Sequence, residues 1–231
     1  MKISIFTLFP DMVRGALDFS IIKRAQEKRL VTIDLINIRD FATDAYKTVD
    51  DHPYGGGVGM ILKVDVVDRA LQKLRTLPRR QAGQNSELRT KTVLLDPQGA
   101  PYNQKKAREL SKLEHLILLC GHYEGVDERV RSLVDEEISI GDFVLTGGEI
   151  PSLVLVDSVV RLIPGVLSKK EATLQESFSE GLLEHPQYTR PEEYKGMKVP
   201  DVLMSGNHAA IALWRKEQAI ARTKHRRPDL H

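Results

Sequence analysis

The stretch LLCGHYEGVDERVRSLVDEEISIGDFVLTGGEIP, residues 118–151, decides how this chain is read. It holds three glycine-bearing turns: GHYEG from Gly121, SIGDF around Gly141 and TGGEIP around Gly147 and Gly148. Each follows a short apolar run. Glycine lets backbone approach a ligand closely and adopt positive φ. Three such turns close together predict loops from several strand ends converging on one small molecule, as in open α/β sheets. Any one of them could be an ordinary loop. Taken together, with Leu116–Cys120 emptying straight into Gly121, Tyr123, Glu124 and Gly125, they are more than connectors need.

Working outward, apolar patterning alternates between strand and helix. Lys2–Leu8 and Leu30–Ile36 alternate and read as strands. Met12–Arg29 reads as one helix with Asp11 as a possible N-cap. Residues 37–60, ending in HPYGGGVGM, read as loop. Val64–Leu77 reads as a helix, the polar stretch 78–90 as a surface loop, and Lys91–Leu95 as a buried strand stopped by the turn DPQG. A helix at Asn103–Leu113, a strand at Leu116–Cys120, a short helix at Asp127–Val134 and a short strand at Ile138–Ile140 follow. An apolar helix then spans Ile150–Leu162. This alternation predicts an α/β domain over residues 1–167 with a mostly parallel sheet. Residues 168–179 (SKKEATLQESFS) read as a linker. Residues 180–231 read as a small helical domain, with Ser205 or Asn207 capping a helix whose face carries Ile211, Trp214 and Gln218.

Composition agrees with a soluble cytoplasmic protein. Of 231 residues, 41% are hydrophobic and 29% charged, and no apolar run approaches the ~20 residues that span a bilayer. The amino terminus lacks the h-region and cleavage site of a secretory signal. Cys120 is the only cysteine, so no intrachain disulfide framework forms. The net charge of +2 is unevenly spread: Arg215, Lys216, Arg222, Lys224, Arg226 and Arg227 lie near the carboxyl end. Such a tail suits either phosphate contacts or a solvated helix end.

Familiar catalytic motifs are absent. There is no G-x-x-x-x-G-K-[ST], no G-x-S-x-G elbow and no H-x-x-x-H spacing, so no metal ligand is assigned. His115 and Cys120 are read as structural. Backbone, carboxylates and arginine remain. Arg161 stands four residues after Asp157, which fits either a helical ion pair or a cation aimed at substrate. Glu176, alone in a polar segment, would pass for a solvated charge.

The segments ISIFTLFPDM, RDF at 39–41, TVDDHPYGGGVGM at 48–60, LLDPQG at 94–99, LLCGHYEGVDERV at 118–130, SIGDFVLTGGEIP at 139–151, RLIPGVL at 161–167, ESFSEGLLEHPQYTRP at 176–191 and VPDVLMSGNH at 199–208 run in order along nearly the whole chain. On them the sequence resembles the bacterial tRNA (guanine-N1)-methyltransferases (TrmD) of the SPOUT superfamily. The resemblance implies a deep trefoil knot in the α/β domain, which pattern reasoning alone does not propose. It implies methyl transfer from S-adenosylmethionine to N1 of the guanosine immediately 3′ of the anticodon, within a homodimer whose second subunit completes each site. Magnesium dependence is a further family expectation. The donor-binding positions it carries over are Leu94, Leu95 and Pro97; Gly121, Tyr123, Glu124 and Gly125; and Ile140, Gly141, Asp142, Phe143, Val144, Leu145, Gly147, Gly148 and Pro151. The substrate-binding positions are Asp50, Tyr54, Gly55, Gly59, Arg190, Arg215 and Arg222, in keeping with a tRNA-binding carboxyl-terminal domain. By the same resemblance Glu176 is the general base and Arg161 the cation that faces charge building on guanine O6.

The chain departs from the family pattern at three places. Glu176 stands where an aspartate is expected, in an E-D-S-F context. Val58 replaces the proline of YGGGPGM, and Leu94 and Asp96 replace residues that are often Tyr and Ser. The change at Glu176 leaves room for a competing function, a non-catalytic RNA-binding or donor-sensing protein of the same fold. An enzyme acting on ribosomal RNA or a ribose hydroxyl fits YEGVDERV and HPQYTRP less well.

Overall fold

The computed structural model describes residues 1–75, 90–168, 173, 176–179 and 181–230. They form two compact units, Met1–Ser168 and Lys169–His231. The expected surface loop at 78–90 falls outside the described residues up to Thr90, as does half of the expected linker at 168–179.

The first unit runs β1 (Lys2–Thr7), α1 (Pro10–Leu17), α2 (Ser20–Glu27), β2 (Thr32–Asn37), β3 (Asp50–Asp51), β4 (Ile61–Leu62), α3 (Val64–Arg75), β5 (Thr90–Pro101), α4 (Gln104–Leu110), β6 (His115–Cys120), β7 (Glu136–Ser139) and α5 (Glu149–Val160). Five strands form one sheet in the order β2–β1–β6–β5–β7, and each neighbouring pair is parallel. Sequence alternation decides which side chain meets which layer. Ile3, Ile5, Val93, Leu95, Leu116, Leu118 and Cys120 face one core cluster, shared with residues of α1, α2, α4 and α5. Phe6, Leu94, Ile117 and Leu119 face the other, under α3. Helices on both faces explain why Leu116–Cys120 is an unbroken apolar run.

Several element limits differ from those the sequence predicts. The single helix over Met12–Arg29 is two helices, parted at Asp18–Phe19, with Ser20 at φ 53°. The stripe of Val13 and Leu17 would continue through Ser20 and Arg24, whereas the buried residues of α2 are Ile22 and Ala25. The chain must turn to bury both pairs, and Gln26 Nε2 donates to the freed Leu17 carbonyl at 3.0 Å. Asp11 is not the cap; Phe9 occupies that position and Pro10 opens the helix. The DPQG turn does not stop β5. The strand continues to Pro101, and its register against β7 shifts between Leu95 and Ala100, both opposite Ile138, which is a bulge rather than an end. The expected loop at 37–60 contains a 3₁₀ turn at Ile38–Phe41 and the short strand β3. The helix expected at Asp127–Val134 is a 3₁₀ turn, Glu128–Leu133. Arg161 does not lie inside α5 but caps it, its N–H donating to the Asp157 carbonyl at 3.2 Å.

In the second unit a two-stranded hairpin, β8 (Glu193–Tyr194) and β9 (Met197–Lys198), precedes α6 (Asp201–Met204) and α7 (His208–Arg226). Asn207 caps α7, its side chain accepting from Ala210 N at 3.1 Å. Thr223 is the buried residue of α7, and its hydroxyl oxygen accepts the Leu183 N–H at 2.8 Å.

Candidate functional site

Loops at the carboxyl ends of β6 and β7, with the bulge inside β5 between them, enclose a cleft of about 210 Å³. The β5 bulge brings Leu95, Asp96, Pro97 and Gln98. The loop after β6 brings Gly121–Gly125. The loop after β7 brings Ile140, Gly141, Phe143–Gly148 and, in α5, Pro151. The loops pack backbone on backbone. Gly148 N donates to Gly121 O at 2.8 Å, and a Cβ on Gly148 would lie 2.6 Å from Cys120 Cα. Only glycine permits that approach.

Of the sequence-predicted donor positions, Leu94 and Asp142 stand apart. Leu94 is fully buried and its side chain joins the opposite core cluster, because strand alternation turns it away from Leu95. Asp142 is exposed and does not line the cleft. The other named positions do. Asp96, Gln98, His122, Ile138, Ser139 and Thr146 also line it without being singled out from the sequence, although Asp96, His122 and Thr146 lie within the loops that the resemblance assigns to the donor. Asp96, Gln98 and His122 sit inside the motifs LLDPQG and GHYEG, so position within a motif was the available signal.

Among the described residues the lining carries two carboxylates, Asp96 and Glu124, and no lysine or arginine. Asp96 is partly offset by Arg131 at 3.5 Å; Arg131 also pairs with Glu128 and Glu137. Behind the cleft, Glu149 is buried and accepts the Thr7 hydroxyl at 2.6 Å. Burial, and secondarily this carboxylate, push the Cys120 thiol well up, so it stays protonated and inert. Tyr123 holds a positive φ of 60°, and its hydroxyl accepts from Arg39 Nη2 at 3.2 Å. A basic phosphate cradle is therefore not what these loops make. They make a narrow, apolar and acidic slot that suits a compact cation.

The glycine loop at 54–60 is tied to the second cleft loop. Glu124 N donates to Met60 O and Leu62 N to Gly125 O, each at 3.0 Å. Gly59 packs against the Glu124 side chain. Tyr54 is fully exposed, Gly55 has φ 87°, and Asp50 is half-buried in β3.

In the second unit Glu176 and Arg215 line a groove of about 360 Å³ together with His185 and Lys216. Arg222 Nη1 donates to the Glu184 carbonyl at 3.3 Å, and Arg190 is exposed. Tyr188 and His185 pack around Trp214, with ring centroids 6.4 and 6.5 Å away. Among the described residues no group of three or more His, Cys, Asp or Glu gathers as metal ligands, and no helix is long and apolar enough to cross a membrane.

Fold and cleft together define an α/β protein with a cleft at the carboxyl edge of a parallel sheet, the place where open α/β sheets bind small molecules. Compared with known families, residues 1–231 match the one described as tRNA (Guanine-1)-methyltransferase TrmD. The tRNA (guanine-N(1)-)-methyltransferase of Bacillus pumilus is 54% identical over 231 residues, covering 100% of this chain and 91% of the relative. Its counterpart from Carboxydothermus hydrogenoformans is also 54% identical, with coverage of 100% and 87%. That from Dictyoglomus turgidum is 53% identical over 230 residues, with coverage of 100% and 89%. The chain belongs to the tRNA (guanine-N1)-methyltransferase family.

Proposed function

We propose that this protein transfers a methyl group from S-adenosylmethionine to N1 of the guanosine immediately 3′ of the anticodon in tRNA. The observation that carries the donor assignment is the cleft itself: loops after β6 and β7 with the β5 bulge between them, close backbone packing at Gly121 and Gly148, and a lining with Asp96 and Glu124 but no lysine or arginine among the described residues. Such a lining favours a ligand bearing a sulfonium and an ammonium over one bearing phosphates. When bound, S-adenosylmethionine supplies an electrophilic methyl group.

The protein's own residues supply the rest. Guanine N1 carries a proton at neutral pH and is a poor nucleophile. Glu176 accepts that proton as general base. Arg161 offers a fixed cation to the charge that builds toward guanine O6. Arg190, Arg215 and Arg222, with Asp50, Tyr54, Gly55 and Gly59, contact the tRNA, whose unpaired anticodon loop exposes base edges for reading. The reading further includes a trefoil knot formed by the three cleft loops, a homodimer, a cytoplasmic location and a dependence on magnesium, which enters none of these steps. Exposed Ile150 and Val154 on α5 favour a second copy packing there. Glu176 in place of an aspartate is the one feature on the side of the non-catalytic alternative, and the family match over residues 1–231 weighs against it.

The test is methyl transfer to an unmodified tRNA transcript, with primer extension to locate the product. Wild type is expected to stop extension at that guanosine. Glu176→Gln is expected to lose at least 100-fold in single-turnover rate, the usual order for general-base loss. Near-normal transfer by the variant would move the base elsewhere.

A further inference from the structure

The hydrogen bonds behind the second cleft loop leave one buried nitrogen without a partner. Thr7 Oγ1, at the end of β1, accepts the Phe9 N–H at 2.9 Å, so its own proton goes to Glu149 Oε1 at 2.6 Å. Glu149 is 2% exposed and sits in the first turn of α5, where a carboxylate is favoured. Its other oxygen, Oε2, faces His122 Nδ1 at 3.7 Å, and that nitrogen is buried with no hydrogen-bond partner among the described residues. The approach depends on Gly147: a Cβ there would lie 2.3 Å from Oε2 and 2.5 Å from Nδ1. The imidazole is held on its flanks by Phe9 and Tyr123, with ring centroids 4.8 and 4.9 Å away.

We propose that Glu149 is a positioning residue that favours the Nδ1–H tautomer of His122, so that Nε2 stands at the cleft as an acceptor for an N–H or O–H group of the methyl donor. The inference rests on the donor reading of the cleft. A neutral imidazole has one donor and one acceptor nitrogen, whereas a carboxylate only accepts. At 3.7 Å the carboxylate attracts a proton on Nδ1 and repels a lone pair there, which favours the Nδ1–H form. His122 lines the cleft and its side chain is 20% exposed, and since Nδ1 is buried the exposed part belongs to the rest of the ring, which includes Nε2. A site that hydrogen-bonds a ligand donor rejects analogues lacking it, because the protein group is left unpaired.

The arrangement makes Glu149→Gln a sharp probe. The Thr7 proton still requires an oxygen at the Oε1 position, so the amide nitrogen falls at Oε2 and donates to Nδ1. The tautomer inverts, and Nε2–H turns a donor toward the cleft. The experiment is nitrogen-15 NMR of the full chain with labelled histidine rings, at about pH 8.5, above the ordinary imidazole range. His122→Ala assigns the resonance. Calorimetric titration with S-adenosylmethionine runs alongside. The expected result is Nδ1–H in wild type, Nε2–H in Glu149→Gln, and affinity weakened about tenfold in both variants, the order of one hydrogen bond. An Nε2–H tautomer in wild type, one tautomer in both proteins, or unchanged affinity overturns the proposal. If Glu149→Gln does not fold, the wild-type spectrum and the affinity of His122→Ala still decide. Wild-type protein that binds no S-adenosylmethionine overturns the donor reading instead, and the spectrum then judges the tautomer separately.

Discussion

Gly148 and His115 show how much single positions fix. Gly148 has φ −79° and ψ −2°, which alanine adopts freely, so Gly148→Ala tests space alone. Its Cβ would meet Cys120 Cα at 2.6 Å, backbone that cannot swing aside. Overpacking of this kind costs about 1–3 kcal/mol. The expected outcome is a lowered urea midpoint together with weakened donor affinity, since the second and third cleft loops are pushed apart. His115 governs a different property. Burial, aided by Lys2, lowers its pKa to about 4 from the ordinary 6.5, and Nε2 lies 2.9 Å from Ser4 Oγ. A histidine held neutral in the fold binds its proton more readily when unfolded. Its contribution is therefore present above about pH 6.5 and is lost as pH falls toward 4. His115→Gln is expected to lose less stability than wild type between pH 7 and pH 5, measured by urea unfolding at each pH.

At the scale of elements, α5 matters most to the cleft, because its first turn carries Glu149 and Pro151 while Leu155, Val156, Val159 and Val160 anchor it in the core. Leu155→Ala removes a fully buried side chain and is expected to cost about 2–5 kcal/mol, read as a lowered thermal midpoint. Strands were the most legible elements: period-two and all-apolar runs mark β1 and β6 because packing on both faces leaves little freedom. Helix limits were less legible. Nothing local at Asp18–Phe19 breaks a helix; the break comes from where Leu17 and Ile22 must be buried, which is tertiary. The DPQG stretch carries every turn signal yet lies inside β5, because β7 supplies partners across the bulge. For the cleft, glycine spacing pointed to the loops. It could not reveal that Leu94 faces the far side, nor that Glu149 and His122 meet across Gly147. Those facts depend on three loops from separate strands.

For the whole molecule, the proposed homodimer has a direct consequence. If Arg161 and Glu176 of one site come from different subunits, mixing Arg161→Ala and Glu176→Ala subunits leaves one intact site in each mixed dimer. Two inactive preparations, unfolded and refolded together, are expected to recover about a quarter of wild-type activity: half the dimers are mixed, and each has one working site of two. No recovery would place both residues in one subunit. The sheet order has a further consequence, in the time dimension. Ser4 on β1 bonds to His115 on β6, 111 residues later, and β6 is the strand that covers one flank of β1. At translation speeds of about 5–20 residues per second, that flank waits roughly 5 to 20 seconds for its partner to leave the ribosome. Meanwhile Ile3 and Ile5 have β2 and the first two helices, and Phe6 has α3, to shelter them, but the flank that β6 covers stays open, which makes the newborn amino-terminal segment a natural client for chaperones.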